Sequence, residues 1–188
     1  IVLLLLSPVL MAADIEEPRW ELIDKLDQVE LRRYAPSIQA VTELGSSAGT
    51  SSGFRLLAGY IFGGNERAQS IAMTAPVQET LEKTRPVMAF TLPAEYSMEE
   101  LPTPNDERVS LVEVPQRTVA AVRFSGWATG GKVARMQRKL LATLATHGIE
   151  SVGVPVLNQY NPPWTAPFLR RNEVSVEVVL GGDLAAAH

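Results

Sequence analysis

The feature of this sequence that most constrains its fold is the order of its secondary-structure patterns, which occurs once in each half of the chain. In the first half, alternating apolar and polar residues predict strands at residues 21–34 and 37–44. A helical pattern follows at residues 54–62 and ends at a Gly-Gly-Asn sequence. Two more strands are predicted at residues 71–80 and 86–92. The first half therefore reads strand, strand, helix, strand, strand.

The second half repeats this order with little sequence identity to the first. Strands are predicted at residues 109–114 and 117–124, before a Gly-rich loop (residues 125–131) and a helix at residues 132–147. Strands at residues 154–160 and 174–179 complete the unit. The chain lacks the strand–helix alternation that is typical of a parallel sheet. The sequence thus predicts an α+β fold, in which duplicated strand-helix-strand units form an antiparallel, roughly eight-stranded sheet or distorted barrel with two packed helices.

The length of 188 residues fits a single domain. We assign residues 14–182 to this domain and residues 183–188 to a disordered tail. The sequence contains no cysteine, which excludes disulfides, thiolate metal sites and covalent attachment of a c-type haem. The net charge of −4 disfavours a nucleic-acid partner, since phosphate binding requires a basic surface. No oligomeric state is predicted.

The N-terminal residues resemble the hydrophobic part of a secretory signal peptide. Residues 1–6 are all apolar, and the small pair Ala12-Ala13 precedes a polar segment. We therefore interpret residues 1–13 as the remnant of a signal peptide and expect an exported protein of the bacterial periplasm. The alternative is an anchoring helix, but spanning a bilayer takes about 20 apolar residues. No stable membrane span is expected after the signal is removed.

Three segments show a resemblance to a known family. The first begins at Tyr60 and runs through the sequence I-A-M-T-A-P-V at residues 71–77. The second is A-V-R-F-S-G at residues 121–126, and the third is Y-N-P-P-W-T-A-P-F-L-R-R-N-E-V at residues 160–174. Their order and spacing are similar to those of the SOUL haem-binding family.

The resemblance implies a duplicated α+β fold and non-covalent binding of b-type haem or a related porphyrin. The expected function is non-enzymatic tetrapyrrole binding by a carrier or buffer. Two alternatives remain open: a binding module for another amphiphilic small molecule, and, with less support, an enzyme that modifies porphyrins. The sequence contains no evident nucleophile and base pair.

The third segment supplies the first set of candidate site residues. Haem is a flat apolar plate with two carboxylates, so its site needs an apolar wall and nearby cations. In the proline-rich loop (residues 160–171), Tyr160, Trp164 and Phe168 offer aromatic surface, and Arg170 and Arg171 offer cations for the propionates. The structural alternative is that Trp164 and Phe168 cover one end of the core, while the two arginines bond to loop carbonyls or acidic residues.

The remaining candidates come from the first half and from the end of the second helix. Arg55, Leu56 and Tyr60 lie on the first helix, and Met73 offers a thioether. The alternative for a methionine is core packing. His147 is the candidate iron ligand, although a histidine at a helix C-terminus is also favoured by the helix dipole.

Overall fold

The computed structural model describes residues 15–45 and 49–180, and these form a nine-stranded antiparallel sheet with two α-helices. The predicted α+β class and the antiparallel sheet are confirmed. The signal-like segment 1–13, the predicted tail 183–188 and the second histidine lie outside the described residues.

The bounds of the elements follow in chain order. The strands are β1 (Trp20–Leu26), β2 (Val29–Tyr34), β3 (Ser37–Glu43), β4 (Val77–Thr80), β5 (Val87–Thr91), β6 (Ser110–Val114), β7 (Arg117–Phe124), β8 (Glu150–Gln159) and β9 (Asn172–Val179). The helices are α1 (Thr50–Ile61), between β3 and β4, and α2 (Gly130–Thr146), between β7 and β8.

The strand order shows the duplication directly. The sheet runs β1-β2-β7-β9-β8-β4-β5-β3-β6, so it is open with β1 and β6 at its edges. Strands β2 to β5 with α1 correspond to strands β6 to β9 with α2. The first strand of each unit pairs with a strand of the other unit: β2 pairs with β7, and β6 pairs with β3. The two units meet where β4 pairs with β8.

The ninth strand arises where one long strand was predicted. Residues 21–34 form a hairpin, because the chain turns at Asp27 and Gln28 between β1 and β2. Asp27 has a positive φ of 55°, a conformation that aspartate tolerates better than most residues. The expected count of eight strands is therefore short by one. Strand β1 has no counterpart in the second unit and lies at an edge of the sheet.

Other predicted bounds shift for local reasons. The strand predicted at residues 71–80 is confined to β4, because the segment before it bonds elsewhere. The Ile71 amide donates to the Ile61 carbonyl and the Ala75 amide to the Glu16 carbonyl. Helix α1 begins at Thr50, four residues earlier than predicted.

Two hydrophobic clusters form the core, one beneath each helix. Helix α2 buries Val133, Leu140 and Leu144 against β2, β7, β8 and β9, and their spacing keeps them on one helical face. Helix α1 buries Leu57, together with Tyr60 and Ile61, against β3 and β5. Burial of each large apolar side chain contributes about 1.5–3 kcal/mol.

The sheet face opposite the helices carries a row of hydrogen-bonded polar side chains. The Gln39 amide donates to Gln78 at 2.7 Å, Gln78 donates to Asn158 at 2.8 Å, and Asn158 donates to Ser175 at 2.8 Å. Buried polar groups are costly without partners. This polar row satisfies them across β3, β4, β8 and β9.

Candidate ligand-binding groove

An open groove of about 730 Å³ lies where three distant segments of the chain meet. These segments are the first turns of α1, the Gly-rich loop before α2, and the proline-rich loop. The groove is lined by residues of three kinds. The apolar ones are Phe54, Val77, Met88, Trp127, Ala128 and Pro163, those with hydroxyl or amide groups are Thr50, Ser51, Thr129, Gln159 and Asn161, and the cationic ones are Arg55 and Arg170. The volume falls in the range of about 300–1,000 Å³ that is usual for small-molecule sites.

One wall is built by α1. Phe54 packs edge-on against Phe90 of β5, with 5.3 Å between the ring centroids and an angle of 62° between the planes. Phe54 nevertheless remains 40% exposed and lines the groove. Gly53 lets this turn of α1 lie close to Leu44, the residue that follows β3, since a Cβ there would collide with the buried Leu44 side chain.

The opposite wall is built by Trp127 and the proline-rich loop. The guanidinium of Arg170 stacks on the Trp127 ring at 3.9 Å from its centroid. The same guanidinium donates to the carbonyls of Thr165, at 2.9 Å, and Pro163. Asn172 donates to the Gly126 carbonyl at 2.9 Å. Arg170 therefore fastens the two loops together and holds the indole in place.

The cation on the α1 side is free to meet a ligand. Arg55 is exposed, and its Nε–H donates to the carbonyl of Ser51 at 3.4 Å. Among the ion pairs of the described residues, none includes Arg55. A guanidinium at the edge of an apolar groove is well suited to hold a carboxylate.

Tyr160 and Arg171 lie in a partly buried charged cluster next to the groove. The Glu173 carboxylate, with a side chain only 1% exposed, pairs with Arg32 at 2.7 Å. It also accepts a hydrogen bond from Tyr160 at 2.9 Å and pairs with Arg171 at 3.2 Å. Arg171 stacks on the Tyr160 ring at 3.7 Å and pairs with Glu17 at 2.9 Å. This cluster anchors the base of the proline-rich loop.

The charges of the cluster change the pKa values of its members. Burial by itself raises the pKa of Glu173, but hydrogen bonds and charges from Arg32, Arg171 and Tyr160 outweigh it, and the net pKa lies below the ordinary value. The pKa of Tyr160 is raised, chiefly by burial and further by the charge of Glu173. The cluster is therefore held with Glu173 ionised and Tyr160 protonated.

Three predicted site residues lie away from the groove. Tyr60 is 2% exposed and donates to the carbonyl of Pro102 at 3.0 Å, so it belongs to the core beneath α1. Burial raises its pKa to about 12. Leu56 and Met73 pack against the same cluster. For Met73, core packing is the role that the structure shows.

The predicted site residues of the proline-rich loop differ in exposure and in their contacts. Trp164 is 85% exposed and Phe168 is 78% exposed, so the alternative that they cover the core is wrong. Neither lines the groove. For Arg170 and Arg171, the alternative of bonds to loop carbonyls and acidic residues is confirmed.

His147 lies at the far end of α2 from the groove. It is the C-cap of the helix, is exposed, and has its Nδ1 atom 2.9 Å from the carbonyl oxygen of Thr143. The 17 residues of α2 span about 25 Å, and the groove lies at the N-terminal end. Within residues 15–45 and 49–180, no cluster of three or more His, Cys, Asp or Glu side chains is placed to hold a metal ion.

Sequence reasoning did not select Val77, Met88 and Trp127 as part of one site, although each lines the groove. Trp127 had a usable signal, since it is a large aromatic residue in a Gly-rich loop, directly after the second family segment. Val77 had none, because an apolar residue in a strand is ordinarily part of the core. Met88 offers a thioether, as Met73 does, but core packing is the ordinary role of a methionine in an apolar strand.

The fold and the groove together define an α+β domain with a site of ligand size. The sequence matches the family model described as "SOUL heme-binding protein" over residues 15–177. The chain therefore belongs to the SOUL heme-binding protein family. It is also 26% identical to Heme-binding protein 2 of Mus musculus over 191 residues, covering 87% of this chain and 90% of the mouse protein.

Solved structures share the fold at low sequence identity. The C-terminal domain of EcmrR superposes with a TM-score of 0.61 and 13% identity, covering 81% of this chain and 97% of that domain. A structure described as a hydrolase from Listeria innocua superposes with a TM-score of 0.59 and 11% identity, covering 84% and 94%. At these identities the similarity establishes the architecture alone. Within the described ranges, no helix is long and apolar enough to cross a membrane.

Proposed function

We propose that this protein binds haem or a related tetrapyrrole, without catalysing a reaction, in the groove between α1 and the proline-rich loop. The observation that carries the proposal is the pairing of two aromatic walls, Phe54 and Trp127, with an exposed guanidinium at Arg55. Membership of the haem-binding family supports the class of ligand.

The lining residues fit a flat amphiphile. Aromatic rings favour stacked or edge-on contact with another ring system, and both Phe54 and Trp127 keep exposed ring surface. Arg55 supplies a cation for a propionate, whereas the guanidinium of Arg170 is engaged in the loop. Thr50, Ser51 and Gln159 add hydrogen-bonding groups at the rim.

The groove offers contacts to the ring more than ligation of its metal. Among the described residues that line it there is no histidine, and Met88, which borders the groove, is 0% exposed. We therefore propose that apolar contact and the propionates dominate the affinity, so that metal-free porphyrin binds comparably to haem. Contacts of this kind support a carrier or buffer, and the proposed location is the exported compartment that the signal-like N-terminus indicates.

Titration with hemin, followed by the Soret absorption, tests this proposal. We expect saturable binding by the wild-type protein and an affinity about tenfold lower for Phe54→Ala, since an apolar wall contact is worth on the order of 1.4 kcal/mol or more. Phe62→Ala is the matched control. Phe62 is 68% exposed at the opposite end of α1 and should bind hemin like the wild type.

The same titration with protoporphyrin IX separates ring contact from metal ligation. We expect dissociation constants for hemin and the metal-free porphyrin within about threefold of each other, because none of the described residues that line the groove is a strong axial ligand. An absence of saturable binding of either compound would refute the proposal. Equal binding by wild type and Phe54→Ala would show that the ligand lies elsewhere.

A further inference from the structure

The proline-rich loop presents its large apolar side chains to solvent. Trp164, Phe168 and Leu169 are 85%, 78% and 64% exposed, and they lie within six residues of one another. Large apolar side chains clustered on a surface usually mark an interaction site. The groove uses Pro163 and Arg170 of this loop but none of these three residues. Their exposure therefore needs a separate explanation.

The loop is suited to an environment without water. Residues 161–169, N-P-P-W-T-A-P-F-L, contain no ionisable side chain, so insertion into an apolar medium would bury no charge. The three prolines of this segment have no backbone N–H to satisfy. Removal of donors and charges lowers the main cost of entering lipid.

Most carbonyls of this segment already have partners within the protein. The carbonyl of Pro162 accepts from the Thr165 amide at 3.0 Å, and that of Ala166 accepts from the Leu169 amide at 3.0 Å. The Pro167 carbonyl accepts from the Gly126 amide, and the Arg170 side chain donates to the carbonyls of Pro163 and Thr165. The apolar side chains are thus displayed on a loop in which five of the nine carbonyls already have partners within the protein.

The exposed area argues against a protein partner. Three large apolar side chains at these exposures present roughly 500 Å², whereas a stable protein interface buries about 800 Å² on each partner. A shallow contact with lipid has no such requirement, and Trp, Phe and Leu are the residues that anchor proteins at the lipid–water boundary. The net charge of −4 disfavours a strongly anionic surface.

We propose that Trp164, Phe168 and Leu169 insert into the surface of a neutral lipid bilayer and place the groove at the membrane. The inference rests on the proposed function for its purpose, because a poorly soluble flat amphiphile is exchanged most readily where the groove opens at the lipid surface. Pro163 and Arg170 connect the two features, since they line the groove from within the inserting loop. The lipid contact itself does not require a bound ligand.

Sedimentation with phosphatidylcholine vesicles tests the proposal on the whole chain. We expect the wild-type protein to bind neutral vesicles, with binding that persists at high salt and a blue shift of tryptophan emission. The double variant Trp164→Ser/Phe168→Ser should partition at least tenfold less well, because each large side chain withdrawn from lipid weakens binding by about a factor of ten. Phe62→Ser removes an exposed aromatic from another surface and should bind like the wild type.

Three results would overturn the proposal: no binding to neutral vesicles, equal binding by the double variant, or binding only to anionic vesicles that salt abolishes. Circular dichroism verifies folding of the double variant, and substitutions at residues this exposed should leave it folded. Hemin titration of the same proteins reports separately on the groove. Loss of vesicle binding with intact hemin binding, or the reverse, distinguishes a failure of this inference from a failure of the proposed function.

Discussion

At the scale of single residues, neighbouring side chains of the proline-rich loop have different roles. Arg170 turns toward Trp127 and the loop carbonyls, while Arg171 turns toward Glu17 and Glu173. The two guanidinium groups therefore hold the loop at two points. The types of these residues were predictable from the third family segment, but their separate directions depend on partners far away in the sequence.

Glu173 provides a prediction at this scale. We expect Glu173→Gln to lower the free energy of unfolding by about 3 kcal/mol, because it leaves the buried Arg32 and the partly buried Arg171 with less compensation of their charge. Urea denaturation measures the change. Asp106→Asn is the control, since its pair with Arg108 is at the surface and should alter stability by no measurable amount.

The pH dependence of the stability difference between the wild type and Glu173→Gln follows from the lowered pKa of Glu173. A carboxylate with a depressed pKa in the folded state stabilises the protein fully above its unfolded value of about 4.5, and the contribution is lost as the pH falls through the folded pKa. The stability gap between wild type and Glu173→Gln should therefore be constant near neutral pH and narrow in acid. A gap that widens below pH 4.5 would contradict the assigned role.

At the scale of elements, the close contact at the C-terminal end of α1 depends on one glycine. A Cβ on Gly64 would lie 2.6 Å from the carbonyl oxygen of Gly59, which is backbone and cannot move aside cheaply. We expect Gly64→Ala to lower the free energy of unfolding by about 1–3 kcal/mol.

Gly59 is the matched control on the same helix. Apart from its chain neighbours and the backbone of α1 itself, no atom of the described residues lies within 4 Å of a Cβ built there, and the position is in the interior of α1. Gly59→Ala should raise the free energy of unfolding by about 0.5–1 kcal/mol, because alanine favours the helix. Thermal denaturation of both variants measures the two changes in stability, which should be opposite in sign. If Gly64→Ala is stabilising, the contact is looser than described.

Element types were more predictable than element ends. Periodicity identified both helices and most strands, because one face of each must be buried. It could not separate β1 from β2, because the apolar pattern continues past the turn at Asp27. Nor could it place the true start of β4, where the preceding amides bond to Glu16 and Ile61.

At the scale of the whole molecule, the duplicated fold brings the groove together. The first unit supplies α1 and the second supplies both loops, and the β4–β8 pairing fixes their separation. The sequence predicted the repeated units and, through the family segments, membership of the haem-binding family. It could not predict that Phe54 and Trp127 line the groove together, because their proximity is a product of the whole sheet.

Paramagnetic broadening of backbone amide signals by bound hemin tests the central claim most directly, since the ferric iron attenuates nearby nuclei. The account predicts that the affected amides are those of Phe54 and Arg55 on α1, Trp127 and Thr129 before α2, and Asn161. Signals from the polar row and from His147 should keep their intensity. Broadening centred on His147 or on the polar row, with the groove unaffected, would contradict the account.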